Sequence, residues 1–385
     1  MEPAIAFARS LENFERPPWL YRLRGGPPAK QRFRAPPPVT DADLTLCRRL
    51  IDAYRLAQSE ARQASGMWSH SIFEQRQREL TDALREGRPA AVARLLAAMF
   101  RSDFVLGMAR GSLGRKWSRG PIARAAWLIE LRKIVALGEA IGAARMENPE
   151  QGGVAPALHD GIDELVAGIE QRLGLSLDFP DAGAAWGVVV ADRLITPETP
   201  DLVYGAARLR DAIDTHAPPS DGPRRIVEIG GGYGGMAYWL LLMMDARYVI
   251  VDLPVVGVLQ GYFLSQALGH DAVALYGETP AQVTIVPDHA LDQVPTPFEA
   301  LANKDSLPEI PLAAAEEYLE WARAAAPPVF YSYNHESGTV FDGVEQNVVC
   351  ELVDRVGGFT RVRRDVSPLR RGYVQEVYVP ASGGR

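Results

Sequence analysis

Apolar positions recur at helical spacing through the first half of the chain. Thr40-Asp-Ala-Asp is a helix start signal, and Leu44, Cys47, Leu50, Ile51 and Tyr54 follow three or four residues apart. Similar spacing predicts helices over about 72–85, 89–100, 121–145 and 160–173. One more is predicted over about 201–215, with Leu202, Ala206, Leu209 and Ile213 on one face. No strand alternation stands out before about residue 180. The pattern then changes to short apolar runs separated by helical stretches. Strands are predicted at about 225–229, 248–251, 283–286, 299–302 and 329–333, and helices at about 238–244, 255–268, 312–325 and 344–356. Two last strands, at about 359–366 and 373–379, flank a turn and read as a hairpin. Strands alternating with helices predict an α/β fold with a parallel, doubly wound sheet.

The expected division is a mostly helical domain over 1–180 and an α/β domain over 181–385. The first forty residues hold Pro3, Pro17, Pro18, Pro27, Pro28 and Pro36 to Pro38, which predicts an extended arm. Composition narrows the function classes. A net charge of -7 speaks against a nucleic-acid footprint. The run from Met236 to Met244 stops at Asp245, short of the roughly 20 residues a membrane span needs. Cys47 and Cys350 are too few and too far apart for a disulfide framework or a zinc cluster. No basic leader precedes an apolar core at the N-terminus, so a reducing, cytoplasmic location is expected.

The chemistry concentrates in Ile226-Val-Glu-Ile-Gly-Gly-Gly-Tyr-Gly-Gly235. A strand ends here and a helix begins, with Glu228, Gly230, Gly232 and Gly234 in an acidic-x-Gly-x-Gly-x-Gly pattern. Glycines allow positive φ and close backbone approach, the usual property of an adenine-cofactor loop. The same type of loop cradles a dinucleotide pyrophosphate, which keeps an NAD-dependent oxidoreductase as a rival. Two features favour S-adenosylmethionine: the glycine register departs from Gly-x-Gly-x-x-Gly, and Glu228 can face the cationic amino-acid part of that cofactor. Tyr248-Val-Ile-Val-Asp252 adds an acid at the next strand end, placed to bind ribose hydroxyls; capping the helix at Pro254 is its other reading.

The chain resembles the putative sugar O-methyltransferases of bacterial polysaccharide gene clusters. The resemblance is carried by the glycine stretch, Val251-Asp-Leu-Pro254 with Gln260-Gly-Tyr-Phe-Leu264, Asn303-Lys-Asp-Ser-Leu-Pro-Glu309 and Tyr331-Ser-Tyr-Asn-His335, and it covers about residues 200–380. It implies a class I S-adenosylmethionine-dependent methyltransferase fold, Rossmann-like with a seven-stranded sheet, and transfer of a methyl group to a hydroxyl of a sugar or glycosylated precursor. Methylation of another small molecule, at nitrogen or carboxylate, and a non-enzymatic binding module are the alternatives. Ile310 after Glu309 and Gly205-Ala206 depart from the pattern and leave the acceptor open. Tyr233 and Leu253 join the expected cofactor set through the quoted motifs.

Ligands of open α/β sheets lie beyond the carboxyl ends of the strands. By that position Asp288 and His289 edge the adenine, and Asn303 faces the methionine part of the cofactor. Asp288 is otherwise a turn residue, and Asp305, Ser306 and Glu309 are otherwise a capping group for the next helix. Removing a proton from a hydroxyl needs a base, and His335 at a strand end is the first candidate. Asp305 is the second, and Glu309 would hold a proton or acceptor hydroxyls. Asp252, Asp305, His335 and Glu336 form no short ligand cluster, so no metal is expected. The basic loop Gly111–Gly120 with Trp117 reads as a solvated loop or an anion site. Trp68 and His70 read as core or as acceptor cleft. The helical region as a whole is expected to cover the catalytic domain, bind the acceptor or form a homodimer contact.

Overall fold

The computed structural model describes residues 30–60, 71–111, 113, 123–146, 161–341 and 344–381. Most of the proline-rich arm, Trp68, His70 and most of the basic loop lie outside these residues. In chain order the elements are β1 (Lys30–Phe33), α1 (Asp41–Glu60), α2 (Ser71–Glu86), α3 (Pro89–Leu96), α4 (Ala123–Ala140) and α5 (Ile162–Leu173). Next come β2 (Trp186–Val190), β3 (Arg193–Ile195), α6 (Thr199–His216), β4 (Arg224–Ile229), α7 (Gly235–Met243), β5 (Ala246–Asp252) and α8 (Pro254–Leu268). They are followed by β6 (Val273–Ala274), β7 (Val283–Pro287), β8 (Ala300–Lys304), α9 (Leu312–Ala325) and β9 (Val329–His335). The chain ends with β10 (Val340–Phe341), β11 (Val344–Glu345), α10 (Val349–Val356), β12 (Phe359–Val366) and β13 (Tyr373–Pro380).

The main sheet has the order β12-β13-β9-β8-β4-β5-β7-β6. Every pairing from β9 to β6 is parallel, while β13 runs antiparallel to both β9 and β12. This is the expected doubly wound sheet closed by a hairpin. It has eight strands where seven were expected, because the two-residue β6 adds to the edge beside β7. Both faces of the central strands are buried, as parallel sheets require. On one face Val227, Ile229, Val251, Leu301 and Phe330 pack with Leu319 of α9 and Leu352 of α10. On the other, Ile226, Tyr248 and Ile250 are buried as well.

The chain divides into two compact units, and their limits differ from the expected break at 180. One unit comprises 1–37, 97–205 and 368–371; the other comprises 38–96, 206–367 and 372–385. Helices α1 to α3 therefore belong with the sheet. The reason is packing: α1 lies on α8, and a side chain at Gly261 would meet Leu50 at 2.7 Å. The start of α1 matches the sequence signal, since Thr40 N–H donates to Asp43 at 2.8 Å and Asp43 N–H donates to Thr40 Oγ1 at 3.2 Å. The first unit contains a strand layer that periodicity did not reveal. There β1 pairs antiparallel with β2, and β2 with β3. The predicted helix over 344–356 begins only at Val349, after the short pair β10–β11.

Candidate active site

The chain runs from β4 to β5 and β7 on one side and returns to β8 and β9 on the other. The loops after β4 and β8 thus diverge, which opens a crevice at the carboxyl ends. Gly230, Gly232 and Gly234 all have positive φ, at 71°, 57° and 89°. At Gly230 space matters as much as conformation. A Cβ there would fall 2.1 Å from Ser306 Oγ, and that hydroxyl donates to Ile229 O at 2.8 Å. The loop after β8 is therefore keyed into the glycine turn. Tyr233 is 3% exposed, and its ring meets Phe263 edge-on at 4.9 Å, so it anchors the turn in the core.

Two acids end adjacent strands. Glu228 is 1% exposed and accepts a hydrogen bond from the Tyr248 hydroxyl at 3.1 Å. Burial pushes its pKa up to about 8; the Asp252 charge adds to the rise, while Tyr248 and the Lys304 charge oppose it. Asp252 accepts from Leu253 N–H at 2.8 Å and from Gln260 Nε2 at 2.7 Å, and Gln260 also donates to Gly232 O at 2.9 Å. Burial raises the Asp252 pKa to about 7, with the Asp288 charge adding to it. Leu253 occupies the cap position of α8, which has no side-chain cap, so Asp252 does not serve as one. Burial also raises the Asp288 carboxyl, and His289 partly offsets this. His289 Nδ1 lies 3.6 Å from Asp288, and its Nε2 is enclosed without a hydrogen-bond partner.

Beyond β8 and β9 lies a second group. Asn303 is fully buried. Its amide nitrogen donates to Ile229 O (2.9 Å) and Ser306 Oγ (2.5 Å), and its oxygen accepts from Asn334 (2.9 Å) and Leu307 N–H (3.4 Å). Its hydrogen-bonding capacity is thereby met inside the protein, so its contribution is the shape of the loop. Asp305 has φ 67°, a left-handed conformation that aspartate tolerates better than most residues with a side chain, and pairs with Lys304 Nζ at 2.6 Å. The Lys304 ammonium also lies 5.2 Å over the Tyr333 ring. His335 ends β9 and accepts Ser337 N–H at 3.2 Å, with its ring edge-on to Tyr373 at 5.6 Å. Glu309 closes a turn on Ser306 O at 2.9 Å. The helix that follows starts at Leu312 without a side-chain cap, so the expected capping group does not form.

The structure thus brings Glu228 and Asp252 to the glycine turn, sets Asp288 at the end of the next strand beside Asp252, and places Asp305 and His335 at the ends of neighbouring strands. Glu336 joins a different cluster, with Cys350 and Glu376. Arg364 bridges both of those carboxylates, at 2.7 and 2.9 Å, and supplies their countercharge. Sequence reasoning missed Tyr248, Gln260, Lys304 and Ser306 as partners of the site residues. It also missed Tyr318, whose hydroxyl burial and the charges of Asp288 and Asp252 raise well above its ordinary pKa. The signal for Gln260 and Lys304 was present, as both fall within motifs quoted for the resemblance.

The residues present fit an S-adenosyl cofactor. A carboxylate oxygen can accept more than one hydrogen bond, so Asp252 retains capacity for hydroxyl donors. Glu228 is a buried acid without a cation bonded to it, and His289 Nε2 is enclosed without a hydrogen-bond partner.

No protein-family model matches the chain, and no curated protein matches it. Among solved structures, the mitomycin 7-O-methyltransferase MmcR is 14% identical over 88% of this chain and 94% of its own, with a TM-score of 0.37. The pyocyanin biosynthetic protein PhzM is 18% identical over 80% of this chain and 94% of its own, with a TM-score of 0.36. The 1,6-didemethyltoxoflavin-N1-methyltransferase of Burkholderia thailandensis, solved with its acceptor and S-adenosylhomocysteine, is 18% identical over 47% of this chain and 78% of its own, with a TM-score of 0.33. The fold assignment rests on the strand order itself. A parallel sheet wound outward from β4 in both directions and closed by an antiparallel hairpin is the α/β, Rossmann-like architecture that the resemblance implied.

Proposed function

We propose that this chain is an S-adenosylmethionine-dependent methyltransferase acting on a hydroxyl of a small-molecule acceptor. The observation that carries the reading is the pair of carboxyl groups, Glu228 and Asp252, on adjacent strands at one glycine turn. A doubly anionic pyrophosphate at such a turn opposes ionisation of these carboxyls, whereas a cation there favours it. A cofactor that is cationic at its amino-acid end and offers ribose hydroxyls is suited to them.

When bound, the cofactor supplies an electrophilic methyl group on a sulfonium sulfur. Glu228 counters positive charge from inside the sheet, and Asp252, held by Gln260, accepts the ribose hydroxyls. His289 and Asp288 bound the adenine end. Ser306 locks the loop after β8 onto the glycine turn, so the groups beyond β8 and β9 keep a fixed register with the cofactor. There His335 or Asp305 takes the proton from the acceptor oxygen, and Lys304 fixes the position of Asp305 by pairing with it. Alignment of the two reactants supplies the rest of the acceleration.

The acceptor class is read as a sugar or a glycosylated precursor. Support comes from the resemblance and from the polar set Lys304, Asp305, Glu309 and His335, groups able to hold several hydroxyls. Calorimetry with S-adenosylhomocysteine and with NAD tests the cofactor: binding of the first and not the second is expected, and the converse refutes the reading. Transfer of a labelled methyl group to a panel of sugars, nucleotide sugars, phenols, amines and carboxylic acids tests the acceptor. Labelling of amines or acids without any hydroxyl compound overturns the O-methyl assignment.

A further inference from the structure

Two groups able to take a proton meet at the ends of β8 and β9, and the bonds each already makes set them apart. Parallel pairing puts Lys304 beside Tyr333. Tyr333 is fully buried, and its hydroxyl lies 2.6 Å from Ser367 Oγ, so its ring is fixed. The Lys304 ammonium lies 5.2 Å over that ring, on a side chain only 9% exposed. Asp305 N–H donates to Tyr333 O at 3.3 Å. The backbone turns left-handed at Asp305, and the carboxylate lies 2.6 Å from Lys304 Nζ. His335 follows Tyr333 by two residues and so shares its face of β9. The Tyr373 ring stands edge-on to both, at 6.0 and 5.6 Å. Lys304, Asp305, Tyr333 and His335 therefore gather at the carboxyl ends of two neighbouring strands.

A neutral imidazole has one nitrogen that accepts a hydrogen bond and one that donates. His335 Nδ1 accepts Ser337 N–H at 3.2 Å. The accepting nitrogen is thus committed to the backbone two residues on, and the ring hydrogen sits on Nε2. Such a ring offers a donor to a substrate and no lone pair that can receive a proton. Turning the ring over would set a C–H against Ser337 N–H and lose the bond. Asp305 is the opposite case. A carboxylate only accepts, and its two oxygens have about four lone-pair sites. Lys304 bonds Oδ2, and the side chain is 34% exposed, so it reaches the mouth of the crevice. A carboxylate is basic enough for this proton. As the acceptor oxygen binds the methyl carbon it loses electron density, and its O–H becomes strongly acidic.

We propose that Asp305 takes the acceptor proton and that His335 Nε2–H donates a hydrogen bond to an oxygen of the acceptor. This rests on the methyl-transfer reading above and assigns separately the roles that it leaves shared between the two residues. The proton passes from the acceptor oxygen to a carboxylate oxygen of Asp305 as the acceptor oxygen takes up the methyl group. The O–H electron pair stays on that oxygen, which ends as a neutral ether. The negative charge of Asp305 and the positive charge of the cofactor are lost together.

Isotope labelling of the histidine nitrogens and NMR test the tautomer in the unaltered protein, with neither cofactor nor acceptor present. The His335 signal is recognised by its contact with the Tyr373 ring protons. Hydrogen on Nε2 and a bare Nδ1 are expected at neutral pH, and hydrogen on Nδ1 overturns the proposal. This measurement needs no variant to fold. Turnover is then read with the hydroxyl compound that takes most label in the acceptor panel. Asp305→Asn is expected to lower it by about two orders of magnitude. Glutamine has an amide N–H at about the reach of Nε2 and no basic lone pair. His335→Gln should therefore keep at least about tenfold more turnover than His335→Ala. Equal turnover in those two variants, or near-normal turnover in Asp305→Asn, overturns the proposal. Should the unaltered protein label no hydroxyl compound, the methyl-transfer reading itself fails, and the tautomer result tells that failure from the other.

Discussion

Replacing Glu228 by glutamine should stabilise the ligand-free protein and weaken cofactor binding at the same time. The carboxyl is 1% exposed, with Tyr248 as its hydrogen-bond donor. Its pKa is pushed up to about 8, against an ordinary value of 4.5. An acid raised in this way holds its proton more tightly in the folded protein than in the unfolded chain. Below the unfolded value both states are protonated and the group costs nothing. As pH rises through that value the unfolded chain ionises first, and stability falls until the folded group ionises near pH 8. At about 1.36 kcal/mol per pKa unit, the loss attributable to Glu228 between about pH 6 and about pH 8 is ~2 kcal/mol.

Glutamine carries no charge at any pH and keeps an oxygen for the Tyr248 hydroxyl. Urea unfolding followed by tryptophan fluorescence is the assay, at several pH values with and without S-adenosylhomocysteine. The stability advantage of Glu228→Gln over the unaltered protein should grow by ~2 kcal/mol between about pH 6 and about pH 8. With ligand the ranking should reverse, since a carboxylate facing a cation contributes about 1.5–3 kcal/mol that the amide does not. A stability difference that does not change with pH refutes the claim that this buried carboxyl is protonated near neutrality. Equal ligand affinity refutes its role toward the cofactor.

Three further outcomes are expected. Asp252→Ala removes the acceptor for Gln260 and, on the proposed reading, for ribose hydroxyls, and should weaken S-adenosylhomocysteine binding by about 1–3 kcal/mol in calorimetry; unchanged affinity contradicts its assignment. His335→Ala and Asp305→Ala should both lower turnover, at least one of them by about two orders of magnitude, with cofactor affinity nearly unchanged. Near-normal turnover in both would mean that catalysis is by alignment without a base. Gly230→Ala places a methyl group against Ser306 at a positive φ, and should cost about 2 kcal/mol or more in thermal unfolding. Ser306→Gly in that background should recover part of the loss, and no recovery would show that the two loops are not coupled.

The sequence by itself determined most elements of the sheet-bearing half and the position of its glycine turn. Short apolar runs spaced by helical stretches predicted β4, β5, β7, β8, β9, β12 and β13 to within a few residues. The glycine turn and the acids Glu228 and Asp252 followed from their positions at strand ends. These features are local, because periodicity and turn chemistry act over a few to fifteen neighbouring residues. The tertiary structure alone decided what depends on distant partners. Strand β1 exists because Lys30–Phe33 meets Trp186–Val190, more than 150 residues away in sequence, and a four-residue segment has no period of its own to show. Helix α1 belongs to the unit that holds the main sheet because Gly261 leaves room for Leu50 and Arg49 reaches Glu278. Asn303, in a motif that pointed to the cofactor, spends its amide on Ile229, Ser306 and Asn334. The proton on Glu228 depends on burial among Tyr248, Asp252 and Lys304, which no spacing in the chain encodes. A residue's type limits the interactions it can make, but desolvation and the set of atoms within hydrogen-bond reach are properties of the folded packing.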